Sequence, residues 1–274
     1  AAAGKLVGAL NFSTVHLCMS INRNLTHAFR NKYLINHFTP VGDATKKILI
    51  EKDGIPAEKI SVINIGLPAD KFVFIPESRK KIRDEFNIPE ESIVIGTVSR
   101  LVEFKGHIYL MKAFAELIKS NPELQLLIIG DGELKDSLIS ESRNQGIGNK
   151  TTFAGARNDI TAILSAMDIF AQPSMDLGGE SFPVSILEAM SIGLPIVASN
   201  VGDIATMVKE SNGILMAPEN VDEIICGFQS LLNSKDLIKK LGQSSRQLFL
   251  ENFTVDKMIN EMEKLYINKL GNRA

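Results

Sequence analysis

From Glu91 onward, short β-branched apolar runs alternate with longer stretches of helical period, and few architectures accept that pattern. Ile93–Val98 reads as a buried strand. Gly106–Ser120 reads as a helix, with Ile108, Met111, Phe114, Ala115 and Ile118 on one stripe. Leu124–Ile129 is the next strand and stops at the turn Gly130-Asp131-Gly132. Further strands are predicted over Thr152–Ala154, Ile169–Gln172, Pro195–Ala198 and Gly213–Met216. Helices are predicted over Glu133–Gln145, Asp159–Met167 and Pro183–Ile192, the last closed by Gly193. Three amphipathic helices then follow: Val221–Leu232, Lys235–Glu251 and Val255–Leu270. Such alternation is the mark of a parallel sheet covered on both faces. A sheet of that kind binds ligands at the carboxyl ends of its strands, where strand order reverses. The loops after strands are therefore where chemistry is expected.

The first part of the chain reads differently. Asn11–Leu17, Phe38–Val41 and, more clearly, Ser61–Asn64 are candidate strands, with Gly42–Lys52 a helix between them. Gly66–Ser78, with Pro68 and Pro76, reads as a linker. At 274 residues the chain exceeds one doubly wound domain and falls short of two. The expectation is α/β: one complete doubly wound, Rossmann-like domain plus part of a second α/β domain.

Composition excludes several classes. Net charge is −2 with the signs interspersed, so neither a nucleic-acid footprint nor a polybasic arm for anionic lipid is present. Cys18 and Cys226 fit no disulfide framework and no zinc spacing, and they read as small apolar fillers in a reducing compartment. No stretch is long and apolar enough to span a bilayer. Ala1–Ser20 leans apolar, but Asn11, Ser13 and His16 interrupt it, so it reads as a strand entering a core rather than a secretion signal. The chain does not begin with Met, which fits a fragment or a processed start.

Three loops and one strand end carry candidate chemistry. Ser99–Gly106 offers Arg100 and Lys105 between a strand and a helix N-terminus, a setting that suits a pyrophosphate; two solvated surface cations explain it about as well. Gly130-Asp131-Gly132 lets backbone amides approach a ligand, and a plain tight turn explains it equally. Gly178-Gly179-Glu180-Ser181-Phe182-Pro183-Val184 leads into a helix whose first amides attract an anion. Glu188 lies further along it among core-like Leu187, Ala189 and Met190, where two ribose hydroxyls would satisfy its carboxylate. The competing reading is an ordinary surface glutamate. His16, at a strand end, is more often structural than functional. The chain has no phosphate-binding G-x-x-x-x-G-K-[ST] loop, no G-x-G-x-x-G, no G-x-S-x-G, no H-E-x-x-H and no D-x-D.

In order and spacing these pieces resemble the retaining glycosyltransferases of family 4, which have the GT-B fold. They are Ser99-Arg100-Leu101 with Lys105-Gly106, Ile128-Ile129-Gly130-Asp131-Gly132-Glu133, and Phe153-Ala154-Gly155. The fourth is Glu180-Ser181-Phe182-Pro183 running to Glu188-Ala189-Met190 and on to Ala198, with seven residues between the glutamates. Asn64-Ile65-Gly66-Leu67 with Phe72 resembles the family's linker, with one extra residue between Asn and Gly. Ser13-Thr14-Val15-His16 resembles the strand end that brings a histidine near the donor sugar.

The resemblance implies residues 1–75 as a remnant of the amino-terminal, acceptor-side domain with its linker, and residues 76–254 as the nucleotide-sugar-binding domain. Residues 255–274 would be a helix crossing back to the first. It implies that Arg100 and Lys105 hold the donor diphosphate and that Glu188 binds the ribose. Glu180 would contact the transferred sugar, and the backbone amides of Phe182, Pro183 and Val184 its distal phosphate. Gly130, Gly132 and Arg157 would border the donor, and His16 would join Glu180, Arg100 and Lys105 in catalysis. The implied reaction moves a sugar from a nucleoside diphosphate to a glycan or lipid-linked acceptor with retention, without metal or cofactor. The implied site of action is cytoplasmic or the inner face of the cell membrane. The absent amino-terminal portion leaves room for peripheral membrane contact, and the incomplete domain for self-association. The alternative is a fragment that binds nucleotide-sugar without transferring it. A sugar-nucleotide epimerase on the same fold suits the glutamate pair and the Arg–Lys loop less well.

Overall fold

The computed structural model describes Ala3, residues 8–177 and residues 179–271; Gly178 and part of Ala1–Ser20 lie outside the described residues. The chain opens with β1 (Phe12–Val15), α1 (Leu25–Tyr33), β2 (His37–Pro40), α2 (Asp43–Glu51) and α3 (Pro76–Glu85). Then come β3 (Val94–Val98), α4 (His107–Leu117), β4 (Gln125–Ile129), α5 (Lys135–Asn144), β5 (Thr151–Gly155), α6 (Ile160–Ser165) and β6 (Ile169–Gln172). The remainder is α7 (Val184–Ile192), β7 (Ile196–Ser199), α8 (Ile204–Met207), β8 (Gly213–Met216), α9 (Val221–Leu232), α10 (Lys235–Asn252) and α11 (Val255–Gly271).

Six parallel strands form the main sheet in the order β5-β4-β3-β6-β7-β8. Its inner strands are mostly apolar because both faces are covered, while the edge strand β5, with Thr151 and Thr152, is half-buried. Neighbouring residues point to opposite faces. Val94 and Leu127 thus join one core with Phe170, Ile186, Met190 and Phe249. Ile95 and Leu126 join the other with Leu110, Phe114, Ile128 and Phe228. Each such fully buried side chain contributes about 1.5–3 kcal/mol relative to exposure. Chain order runs outward from β3 to β5 on one side and from β6 to β8 on the other, so the switch point lies between β3 and β6.

The amino end of this sheet is closed by ionic contacts. Arg83 on α3 is 1% exposed. It donates to the carbonyls of Ala166, Pro89, Glu90 and Ser92 and, at 2.8 Å, to Asp168 Oδ2. Arg79 donates to Asp168 Oδ1 at 2.7 Å, and the Val94 amide to Oδ2 at 2.7 Å.

The smaller sheet is β1 paired in parallel with β2. A separate core of Val15, Ile35, Phe38, Leu49, Ile55 and Ile60 supports it. The segment Ser61–Asn64, expected as a strand, is not one. Ser61 and Ile63 donate to the carbonyls of Phe38 and Pro40, but only an isolated bridge, Phe38 to Ile60, forms. Pro40 has no N–H to return a bond, so the ladder stops. β1 is shorter than the expected Asn11–Leu17, whereas β2 has the length of the expected Phe38–Val41 but begins and ends one residue earlier. The last residues of the expected linker already belong to α3.

Two other readings are corrected. On α4 the buried stripe is His107, Leu110, Met111, Phe114 and Leu117, whereas Ile108, Ala115 and Ile118 are half-buried. The bond between His107 Nε2 and Ser99 Oγ, 2.9 Å, pins the first turn in that rotation. Cys226 is exposed, because it points away from the Ile224–Phe228–Leu231 stripe of α9, and Cys18 is half-buried. α11 runs back along the smaller sheet, with Tyr266 edge-on to Phe12 at 4.7 Å and Lys269 Nζ donating to the Glu58 carbonyl. No helix among the described residues is long and apolar enough to cross a membrane.

Candidate functional site

The loops after β3 and β6 flank the switch point and are joined to one another. The Met175 amide donates to the Phe104 carbonyl at 2.8 Å. Gly106 has φ +68°, and a Cβ there would stand 1.9 Å from the Pro173 carbonyl oxygen, so only glycine lets the two loops meet. The Gly130-Asp131-Gly132 turn packs beneath the same loop. The Leu101 amide donates to the Asp131 carbonyl at 2.9 Å, and a Cβ on Gly130 would lie 1.8 Å from the Ser99 carbonyl oxygen.

Those loops bring Lys105 and Glu180 together. Lys105 Nζ is 2.6 Å from Glu180 Oε2, with the two side chains 12% and 7% exposed. Ser174 Oγ donates to the same oxygen at 2.6 Å and Gln172 Nε2 at 3.1 Å. Ser185 Oγ donates to Gln172 Oε1 at 3.2 Å and so orients that amide. A buried carboxylate requires such donors. They converge on Oε2, and Oε1 accepts no bond among the described residues. Arg100 is exposed, with its guanidinium carbon 5.8 Å from the Phe104 ring centroid; Lys105 Nζ is 5.1 Å from the same centroid.

α7 begins one residue later than expected, with Pro183 as its N-cap at φ −67° and ψ 116°. No side chain caps it, so its first amides remain available to an anion. Phe182 is buried edge-on to Phe253 at 5.8 Å, which fixes the chain's entry into the helix, while Val184 is exposed. Further along, the Glu188 carboxylate has no hydrogen bond or ion pair among the described residues, and burial pushes its pKa from 4.5 up to about 7.

Two other expected residues stand apart. Arg157, beyond β5 and two strands from β3, donates to both oxygens of Glu85 and both of Asp159, and it lies over Phe86. His16 follows β1 and is exposed, with no hydrogen bond or ion pair among the described residues.

Sequence reading missed Gln172, the last residue of β6, and Ser174 in the loop after it, although it expected chemistry in the loops after strands. It also missed His107, whose burial lowers its pKa to about 4 and leaves a neutral imidazole beside Lys105. A third omission is Asp203, buried at the opposite wall of the Glu180 turn.

A doubly wound sheet with cations after one switch-point strand and a glutamate pair after the other has the architecture of the GT-B class. Residues 78–248 match the profile of the glycosyl transferases group 1, and the chain belongs to that family. It is 30% identical over 234 residues to the UDP-Gal:alpha-D-GlcNAc-diphosphoundecaprenol alpha-1,3-galactosyltransferase of Escherichia coli, covering 83% of this chain and 59% of that protein. It is 26% identical over 199 residues to a GDP-mannose-dependent alpha-(1-6)-phosphatidylinositol monomannoside mannosyltransferase of Mycobacterium tuberculosis, covering 70% and 51%. The fold superimposes on HepE of Anabaena, crystallised in complex with UDP, with a TM-score of 0.88 at 22% identity, covering 97% of this chain and 74% of that one. The chain thus spans between half and three fifths of the length of these two relatives.

Proposed function

We propose that this chain is the donor-binding part of a retaining, metal-independent glycosyltransferase that moves a sugar from a nucleoside diphosphate to a glycan or lipid-linked acceptor. One observation carries the reading: Arg100, Lys105 and Glu180 stand on the loops that flank the β3–β6 switch point, and the uncapped α7, which carries Glu188, starts from the second of them. HepE holds UDP in its crystals, and the two enzymes named above use UDP-galactose and GDP-mannose, which supports a nucleotide-sugar as ligand.

In this reading Lys105, Arg100 and the first amides of α7 offset the charge that develops on the departing diphosphate. That is the task a divalent cation performs in other transferases. Glu188 accepts from the ribose hydroxyls, which would supply the partners its carboxylate lacks. Glu180 keeps Oε2 on Lys105, Ser174 and Gln172 and turns Oε1 toward a hydroxyl of the transferred sugar. Gly130 and Gly132 let the backbone close over the donor, and Arg157 borders its base. His16, from the smaller sheet, faces the sugar. The donor approaches the cytoplasmic side of a membrane where the acceptor is lipid-linked.

The second reading is binding without transfer, and the two-strand smaller sheet favours it for this chain taken alone. A transfer assay beside a nucleotide titration separates the two. Binding with turnover supports the enzyme, and binding without turnover supports the fragment. Neither binding nor turnover removes both.

A further inference from the structure

Helix α2 lacks a side-chain cap of its own, because its N-cap is Gly42. The main sheet's side supplies one. Asp203 Oδ1 accepts from the Ala44 amide at 2.7 Å, across 159 positions of sequence. Asp203 is 3% exposed, and its other oxygen, Oδ2, is buried with no hydrogen-bond partner among the described residues. The fit depends on Gly42 having no side chain: a Cβ there would stand 2.1 Å from Asp203 Cγ. Beside this contact, Thr45 Oγ1 and Ser181 Oγ are 2.9 Å apart, and both residues are buried. The Asp203 amide donates to the Ser181 carbonyl at 2.9 Å. The next residue back, Gly202, packs against the Glu180 carbonyl, where a Cβ would lie 2.5 Å from its oxygen. One short turn, residues 180–181, is therefore clamped between Lys105 and Ser174 on one side and Asp203 and α2 on the other.

We infer that Asp203 is a positioning residue: its carboxylate caps α2 from across the fold and thereby sets how the smaller sheet stands over the Glu180–Ser181 turn. The helix dipole and the free amides of the first turn favour an anion at that point. Gly42 does more than leave space, since a serine or aspartate there would cap α2 internally and break the link. The cap unites the two parts of the chain at the turn that carries the sugar-contacting glutamate. Its consequence for catalysis rests on the proposed role of Glu180, whereas the cap itself does not.

The titratable groups facing Asp203 are Asp43 on α2 and Cys18 after β1, and burial pushes the Asp203 carboxyl above the usual aspartate range. A bound amide reports that carboxyl directly. In the unaltered chain the Ala44 amide proton should be shifted downfield, resist exchange, and move upfield with a single midpoint as Asp203 takes up its proton. Asp203→Asn should abolish the pH dependence. An Ala44 amide that shows no titration, or the same titration in Asp203→Asn, overturns the inference.

A double-mutant cycle gives the second readout. Gly42→Ser alone should lower Tm by several degrees, because the new side chain meets Asp203. In the Asp203→Gly background the same change should raise Tm, because serine now caps α2 itself. Equal effects of Gly42→Ser in the two backgrounds would overturn the cap. Uridine, guanosine and adenosine diphosphates titrated into the unaltered chain test the donor site separately. Failure of all three, with the amide data as described, removes the donor reading and leaves the cap standing.

Discussion

At the amino end of the main sheet, Asp168 receives Arg79, Arg83 and the Val94 amide, and Arg83 spreads its remaining donors over four carbonyls. At the carboxyl end, Glu188 has no polar partner among the described residues, Arg100 touches only a ring, and Glu180 leaves one oxygen free. Both ends are charged, and they differ in whether the charges are used up. A saturated network has nothing to offer a ligand, and its loss leaves buried groups unpaired. An unsaturated one tolerates its cost only if something binds there, which is why perturbed titration gathers at functional sites.

The largest effect should come from the saturated end. Arg83→Met leaves Asp168 and several buried carbonyls without a donor, and breaking a buried pair in this way costs about 3–5 kcal/mol. Urea unfolding should move to a much lower midpoint. Loss of less than about 1 kcal/mol would mean that the amino end is not the structural end, since exposed pairs are worth no more than that.

Lys105→Ala tests the other end. A charge-assisted bond contributes about 1.5–3 kcal/mol, so nucleotide affinity should fall roughly tenfold or more. Folding should change less than in Arg83→Met, because Ser174 and Gln172 still donate to Glu180. A variant that unfolds as readily as Arg83→Met would erase the contrast between the ends.

Glu188→Gln should show in the pH dependence. The folded carboxyl holds its proton up to about pH 7, against an ordinary value of 4.5. Between those values the folded state binds more protons than the unfolded one, so stability falls as pH rises and the penalty is complete above the upper value. The glutamine variant should lack this slope, and it should be the more stable form at pH 8. Denaturation of both proteins across pH 4 to 8 checks it, and parallel curves would put Glu188 in water.

Ser174→Ala should have the smallest effect on folding, about 0.5–1.5 kcal/mol for one hydrogen bond. In an active, longer form of the protein it should lower kcat more than it raises KM, because it frees Glu180 to turn. An equal change in both would deny Ser174 its positioning role.

The main sheet was legible because a strand buried on both faces must be apolar along most of its length, as in Val94, Ile95 and Val98 of β3 and Leu126, Leu127, Ile128 and Ile129 of β4. Lys105 and Glu180 were legible as candidates because they stand in loops that follow such strands, and Glu188 because a carboxylate beside Leu187, Ala189 and Met190 needs a partner. Other features left no local trace. α3 went unread beyond the last linker residues because it meets the core mainly through Ile82 and the buried Arg83. α1 turns Leu25, Phe29 and Tyr33 outward and so shows no inward apolar stripe. The pairing of Arg157 with Glu85, and of Asp203 with α2, joins residues far apart in sequence, and spacing carries no record of them.

If the carboxyl end of the sheet at the β3–β6 switch point holds a nucleoside diphosphate, calorimetric titration of uridine, guanosine and adenosine diphosphates into the unaltered chain and into Lys105→Ala will reveal it. Saturable binding of at least one of them to the unaltered chain is expected, weakened tenfold or more in the variant. Binding of none, or binding of equal strength to both proteins, would contradict that expectation.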